Sequence, residues 1–222
     1  MKEKNYSEEI ANAIKSYLKE DDWHFSFDEE TGLFRFGLSL SSKIKKINYI
    51  VDVKEDQYIV YAIAPIGADE EDKKMMATMA EFVCRANYGL KNGNFELDMR
   101  DGEVRFKCFV DCEGITPSKD MVQNSIHCPA AMFKRYGSGI VDIIYGNATA
   151  KEAVEKCEKA TEDEIRSLLS KLMEGEGEFG EMLAKLAERL GSPDDEDDES
   201  SDVSCVPALI KTDLFGTEGD DE

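Results

Sequence analysis

The sequence contains little histidine and little tryptophan: its 222 residues include two histidines and one tryptophan. Imidazole is the side chain on which general acid–base catalysis and metal binding most often rely. His24 alternates with aromatic residues on a predicted outward face, and His127 stands just before Cys128. Isolated histidines in such positions are most often surface or capping residues. The shortage of histidine therefore argues against a hydrolytic centre, and we predict no catalytic residues.

Motifs that bind phosphate, activate a serine nucleophile or hold a catalytic zinc ion are absent from the sequence. No Cys-x-x-Cys pair occurs among the six cysteines, which are Cys84, Cys108, Cys112, Cys128, Cys157 and Cys205. A zinc site needs four converging ligands, and only His127 and Cys128 are placed to join Cys108 and Cys112. We therefore expect free thiols, no metal ion and no cofactor.

Long apolar runs are also lacking. No stretch approaches the length that spans a bilayer, and the first ten residues carry charges where a signal peptide needs an apolar run. We therefore expect a cytoplasmic protein that has no membrane partner and whose thiols stay reduced.

Acidic residues are abundant: 48 acids against 27 bases give a net charge of −21. Residues 193–222 hold 12 acids and 1 base, and so account for −11 of that charge. An acidic surface repels phosphate backbones and anionic lipid headgroups. Nucleic acids are therefore disfavoured as partners, whereas basic or polar polypeptides are favoured.

The most informative stretch lies between residues 75 and 110, where the pattern predicts a helix, a break and a β-hairpin. A helical stripe is formed by Met75, Met79, Phe82, Val83 and Ala86. Met76 lies off this stripe. Gly89 is expected to end the helix, because glycine readily adopts the left-handed conformation that closes helices.

The predicted hairpin alternates apolar and charged residues on both sides of Asp101-Gly102. A two-residue turn at that dipeptide pairs only opposite charges: Arg100 with Glu103, Asp98 with Arg105 and Glu96 with Lys107. It also places apolar residues together on the other face: Leu97 with Phe106 and Phe95 with Cys108. One face is then solvated and the other faces a core. A three-residue turn with a bulge at Gly102 is the alternative.

The helix end, the Asn-Tyr-Gly-Leu link at residues 87–90 and the hairpin together resemble the YbjN-like family of small bacterial proteins. The resemblance covers about residues 5–145 and is most specific between Arg85 and Phe106. It implies a fold akin to the type III secretion chaperones and a regulatory role. It also implies a homodimer, unless the helices that follow the core cover the dimer surface. No catalytic residues come with the family.

The rest of the chain supplies two more hairpins, over residues 23–40 and 47–64, and two more helical stripes, over residues 6–18 and 122–144. We therefore predict an α+β domain over residues 1–147, with an antiparallel sheet of about six strands and three packing helices.

Two capping boxes, at Thr149 and Thr161, predict short amphipathic helices that either pack on the domain or pair with a partner. We assign residues 148–192 to this helical extension. Residues 193–222 are rich in Asp, Glu and Ser without periodicity, which predicts a disordered acidic tail.

The function that this pattern favours is non-enzymatic binding of a polypeptide segment, of a chaperone-like or regulatory kind. The candidate protein-binding residues are Trp23, Phe25, Met76, Leu214 and Phe215. Trp23 and Phe25 stand near a strand that could be a sheet edge, or they simply seal the core. One rival is a small-molecule sensor or enzyme with a pocket between the sheet and the third helix. Another is a module inhibited by docking of its own tail.

Overall fold

The structure, a computed structural model, describes residues 4–174. In that part of the chain four helices and six strands follow one another in a fixed order. They are α1 (Glu8–Glu20), β1 (Phe25–Asp28), β2 (Leu33–Ser39), β3 (Lys46–Val53), β4 (Gln57–Ile63), α2 (Lys73–Asn87), β5 (Asn94–Leu97), β6 (Val104–Asp111), α3 (Lys119–Gly146) and α4 (Ala150–Glu174). None of these helices is both long and apolar enough to cross a membrane.

The six strands form one antiparallel sheet in the order β1-β2-β3-β4-β6-β5, so that β1 and β5 are its edges. Alternate residues of each strand point to a single layer of helices. They are buried in the strands from β2 onward, as Phe34, Tyr49, Val60 and Phe106 show, and half-buried in β1. The predicted α+β class with a six-stranded antiparallel sheet is confirmed. The helices form one layer and the sheet forms the other.

The register of the β5–β6 hairpin differs from the predicted one by two residues. Phe95 lies opposite Phe106 and Leu97 opposite Val104, because the turn has four residues. Asp98 donates its N–H to the carbonyl of Glu103 at 2.9 Å, and Gly102 closes the turn with a φ of +73°. A shift of two residues keeps every side chain on its predicted face. The division into a core face and a charged face is therefore confirmed, although the pairs are wrong.

Helix α2 buries Met76, Met79, Phe82, Val83 and Ala86. Met76 is 4% exposed, whereas the sequence placed it off the buried stripe. The helix begins at Lys73, with Asp72 as the capping residue, and the stripe that faces the core passes through Met76, whereas Met75 is only partly buried. Met76 is therefore a core residue, and we no longer count it as a surface contact.

Helix α4 is one continuous helix rather than two. Its first capping box is confirmed, since Thr149 and Glu152 hydrogen-bond each other through backbone and side-chain groups. The second box does not start a new helix, because the Thr161 hydroxyl instead donates to the carbonyl of Cys157 at 3.0 Å. Val154 and Cys157 are buried in the core, so the first part of α4 packs on the domain. The extension predicted beyond Glu174 and the predicted acidic tail lie outside the described residues.

Candidate functional site

The two edge strands expose different backbone groups, and the hydrogen-bond ladder shows which ones. Val53 donates its N–H to the carbonyl of Gly32 at 3.3 Å. The backbone groups of Gly32 and of every second residue after it therefore bond to β3, and those of the residues between them point the other way. Arg35 and Leu33 must then bond toward β1, where they face Ser26 and Asp28. The N–H and C=O groups of Phe25 and Phe27 consequently point away from the sheet.

The same alternation turns the backbone groups of Phe95 and Leu97 toward the outer edge of β5. That edge is closed at Phe95. The side-chain amide of Asn87 accepts a hydrogen bond from the Phe95 N–H at 2.7 Å and donates one to the Phe95 carbonyl at 2.9 Å. A side chain thus occupies the position that an added strand would take at this edge. Asn87 had no functional signal in the sequence, because it looks like an ordinary residue at a helix end.

A groove of about 520 Å³ lies between α2 and β5. Its walls include Val83 from the helix and Leu97 and Met99 from the hairpin. Met99 is 61% exposed. Since Asn87 covers the adjacent backbone, the groove offers side-chain contacts and little backbone pairing.

At the β1 edge, by contrast, aromatic side chains flank the outward-facing backbone. Phe25 and Phe27 are half-buried and pack on Phe34, with ring centroids 5.8 and 4.4 Å away. Lys15 places its ammonium 3.7 Å from the centre of the Phe27 ring. The edge is therefore apolar along its inner rim, as an edge that receives a hydrophobic strand would be.

Trp23 lies at the entrance to β1 and is half-buried. Its ring packs edge-on against Phe36 at 5.2 Å, Tyr49 at 6.3 Å and His127 at 6.0 Å. Its indole N–H donates to a carboxylate oxygen of Asp21 at 2.9 Å. Trp23 and Phe25 thus pack on the core while part of each stays accessible beside the edge strand.

The surroundings of β1 are acidic. Residues 20–30 contain six acids and no lysine or arginine; the acids are Glu20, Asp21, Asp22, Asp28, Glu29 and Glu30. Hydrogen bonds from Thr31 and from the Glu30 N–H hold the pKa of Asp28 below its ordinary value, so the charged form of its carboxylate is favoured. Lys15 brings a positive charge to this edge, but the excess of acids in residues 20–30 favours a basic guest.

Of the residues that a metal site would have used, Cys128 interacts with Cys108, but His127 and Cys128 also have partners of their own. His127 is hydrogen-bonded through Nε2 to the Tyr17 hydroxyl at 2.7 Å, whereas the Cys128 thiol donates to the Asn92 carbonyl at 3.7 Å. Between residues 4 and 174 no three or more His, Cys, Asp or Glu side chains converge to hold a metal ion.

The layer between the sheet and α3 is filled by tyrosines. Tyr49 donates to the Ile126 carbonyl at 2.8 Å, and the Tyr58 hydroxyl lies 3.0 Å from that of Ser125. Burial is the main cause of the raised pKa of both phenols, which reaches about 12 for Tyr58. The pocket that the small-molecule hypothesis placed here is therefore occupied by protein side chains. Leu214 and Phe215, the other candidate binding residues, lie outside the described part of the chain.

Comparison with known proteins gives a structural likeness only. No family model and no curated protein matches the sequence. Among solved structures, the chain is similar to YbjN from E. coli, a candidate transcription regulator, with a TM-score of 0.41 and 9% identity. The match covers 60% of this chain and 87% of that one. At this level the likeness assigns neither a family nor a function.

Proposed function

We propose that the protein is a non-enzymatic binding module that captures an extended, basic polypeptide segment as an additional strand along β1. The guest would hydrogen-bond to the outward N–H and C=O groups of Phe25 and Phe27. Its apolar side chains would contact Trp23 and Phe25, and its lysines or arginines would face the acids of residues 20–30. Main-chain pairing supplies affinity in this binding mode, and side chains supply specificity.

The observation that carries the proposal is the contrast between the two sheet edges. Asn87 caps the backbone of Phe95 on β5. On β1, by contrast, the hydrogen-bond ladder leaves the backbone N–H and C=O groups of Phe25 and Phe27 pointing outward. Exposed edges promote unwanted association, and proteins usually block them. Residues 4–174 thus block the β5 edge at Phe95 and leave the β1 edge open, which keeps the β1 edge available for a partner. A regulatory or chaperone-like role would follow from the choice of partner.

The test uses Trp23, the single tryptophan of the chain, as an intrinsic fluorescent reporter. The probe is a synthetic octapeptide in which lysine alternates with valine or threonine. We expect its addition to the full chain to change the Trp23 emission in a saturable way. The same peptide N-methylated at alternate residues should not bind, because it cannot pair with a strand edge. An acidic peptide with glutamate in place of lysine should not bind either.

Two matched variants test the role of charge. Glu29→Lys with Glu30→Lys reverses exposed acids beside β1, and Glu70→Lys with Glu71→Lys reverses exposed acids ahead of α2. The first pair should weaken binding severalfold and the second should leave it unchanged. Equal binding of the N-methylated and unmodified peptides, or no binding of the basic peptide, would reject strand addition at β1.

A further inference from the structure

The face of the sheet opposite the helices carries an apolar patch that no described element covers. All four helices contribute their buried residues to the other face. The patch lies on the three central strands β3, β4 and β6, and it consists of Ile50, Ile59, Tyr61, Ile63 and Phe109. Phe109 is 50% exposed and the other four are half-buried.

The composition of β4 is unusual for a strand with one solvated face. Tyr58, Val60 and Ala62 are buried beneath the helices, yet Ile59, Tyr61 and Ile63, which alternate with them, are also apolar. Strands that are apolar on both faces are normally covered on both sides, whereas half-solvated antiparallel strands alternate apolar with polar residues. The sequence of β4 therefore predicts that a second layer covers the face of the sheet opposite the helices.

Two basic side chains border the patch and form no ion pair within the described residues, although Arg35 acts on the Asp28 carboxylate at longer range. Arg35 lies directly opposite Ile50, and Lys46 lies on the same face of β3. Both are exposed, and neither forms an ion pair within residues 4–174. The other bases of this face, Arg105 and Lys107, are paired with Glu96. Bases that form no ion pair favour an acidic covering segment.

We infer that the covering layer is the segment Val206–Phe215 of this same chain. It combines apolar residues (Val206, Leu209, Ile210, Leu214 and Phe215) with acids on both sides, in a region of 12 acids and 1 base. Thirty-one residues separate it from Glu174, enough to span roughly 100 Å when extended. The apolar residues lie on the patch, and the flanking acids pair with Arg35 and Lys46. The inference is independent of strand addition at β1.

Hydroxyl-radical footprinting of the full chain tests this inference, because it measures the solvent access of aromatic side chains directly. The variant replaces four tail residues: Leu209→Ser, Ile210→Ser, Leu214→Ser and Phe215→Ser. We expect Tyr61 and Phe109 to be oxidised severalfold faster in the variant than in the parent chain. Tyr145 and Tyr88, which are 71% and 93% exposed, serve as internal references and should be oxidised at equal rates in both.

A second pair of variants tests the electrostatic part in the same assay. Arg35→Glu with Lys46→Glu should also raise the oxidation rate of Tyr61 and Phe109, whereas Lys73→Glu with Lys159→Glu, on exposed helix surfaces, should not. Sedimentation velocity on the same samples reports the oligomeric state. Two results together support the inference. The parent chain is monomeric, and Tyr61 and Phe109 are oxidised faster only in the tail variant and in the Arg35/Lys46 variant.

Equal oxidation of Tyr61 and Phe109 in the parent chain and the tail variant would overturn it. If the two chains are then monomeric, the patch is uncovered or awaits another protein. If both are dimers and the aromatic residues are protected in both, a second copy covers the patch instead.

Discussion

Asn87 and Phe95 form a reciprocal pair of hydrogen bonds in which one side-chain amide satisfies both backbone groups of an edge residue, at 2.7 and 2.9 Å. Asn87 is the last residue of α2 and Phe95 is the second residue of β5. The contact ties the helix to the strand that follows it. It also closes the β5 edge at Phe95, so the two edges of the sheet are chemically different.

Asn87→Ala should destabilise the fold and open the β5 edge. The N–H of Phe95, a residue that is 2% exposed, would lose its partner, and the Phe95 carbonyl would keep only the Asn94 side-chain amide at 3.2 Å, at a cost of about 1–3 kcal/mol. Asn87→Asp keeps the acceptor for the Phe95 N–H and should cost less. Chemical denaturation measures both losses, and sedimentation at increasing concentration should show self-association for the alanine variant. An alanine variant as stable and as monomeric as the parent chain would show that Asn87 does not close the edge.

Glu96 should make folding stability depend on pH. Burial alone would raise its pKa, but hydrogen bonds from Lys107 and Arg105 outweigh burial and hold the pKa below its ordinary value of 4.5. The stabilisation is therefore complete above pH 4.5 and is lost as the pH falls through the lower value of the folded state.

The variant Glu96→Gln should lower the free energy of unfolding at pH 7 by roughly 0.2–1 kcal/mol. Its stability should also fall less than that of the parent chain as the pH drops below 4.5. Denaturation curves between pH 7 and pH 3 measure both effects. Parallel pH profiles for the two chains would show that the paired carboxylate of Glu96 adds no stability.

Gly139 in α3 should tolerate no larger side chain. A Cβ there would lie 2.5 Å from Cε2 of Phe82 and 3.1 Å from the sulfur of Cys157, where α2 and α4 meet α3. Gly139→Ala should therefore cost about 1–3 kcal/mol through overpacking. Gly146→Ala is the matched control, because its nearest neighbour would be Asp142 Cβ at 3.9 Å. It should be neutral or add up to about 1 kcal/mol through helix propensity. Thermal and urea denaturation distinguish the two, and equal stability of both variants would contradict this packing.

The thiols of Cys108 and Cys128 should titrate as a donor–acceptor pair. A hydrogen bond from Cys108 lowers the pKa of Cys128, while the same contact together with burial raises the pKa of Cys108. Cys108→Ala removes the donor, so the pH midpoint for alkylation of Cys128 should rise. Cys108→Ser keeps a donor and should shift it less. Exposed Cys84 provides the internal reference. An unchanged midpoint in the alanine variant would show that the two thiols do not interact.

The sequence predicted the elements of this fold where its periodicity was strong. The alternation in residues 94–111 located a hairpin and assigned its faces correctly, because face depends only on whether the register shift is odd or even. The register itself depends on turn length, and Asp101-Gly102 suits both a two-residue turn and the observed four-residue turn that ends in Gly102. Local chemistry does not separate these turns. In the structure the Gly102 carbonyl accepts a hydrogen bond from the Ala68 N–H at 3.0 Å. This contact joins the turn to a distant part of the chain, so the local sequence of the turn does not reveal it.

The candidate site was only partly predictable for a related reason. Trp23 and Phe25 were recognised because aromatic residues alternate with polar ones near a possible edge. Met76 was misplaced because the predicted stripe passed through Met75, whereas the helix turns the neighbouring Met76 into the core. Asn87 could not be recognised at all, since its role depends on a strand eight residues later in the chain. The uncovered face of the sheet could not be recognised either, because the sequence does not show that all helices pack on the other face.

Amide hydrogen exchange, resolved by residue with NMR, tests the central claim most directly. The amides of Phe25 and Phe27 point outward from an open edge, and the amide of Phe95 is held by Asn87. We predict that the lysine-rich octapeptide slows exchange at Phe25 and Phe27 markedly and leaves Phe95 unchanged. Slowing at Phe95 or at the hairpin 94–105, with Phe25 and Phe27 unaffected, would contradict the assignment of β1 as the binding edge.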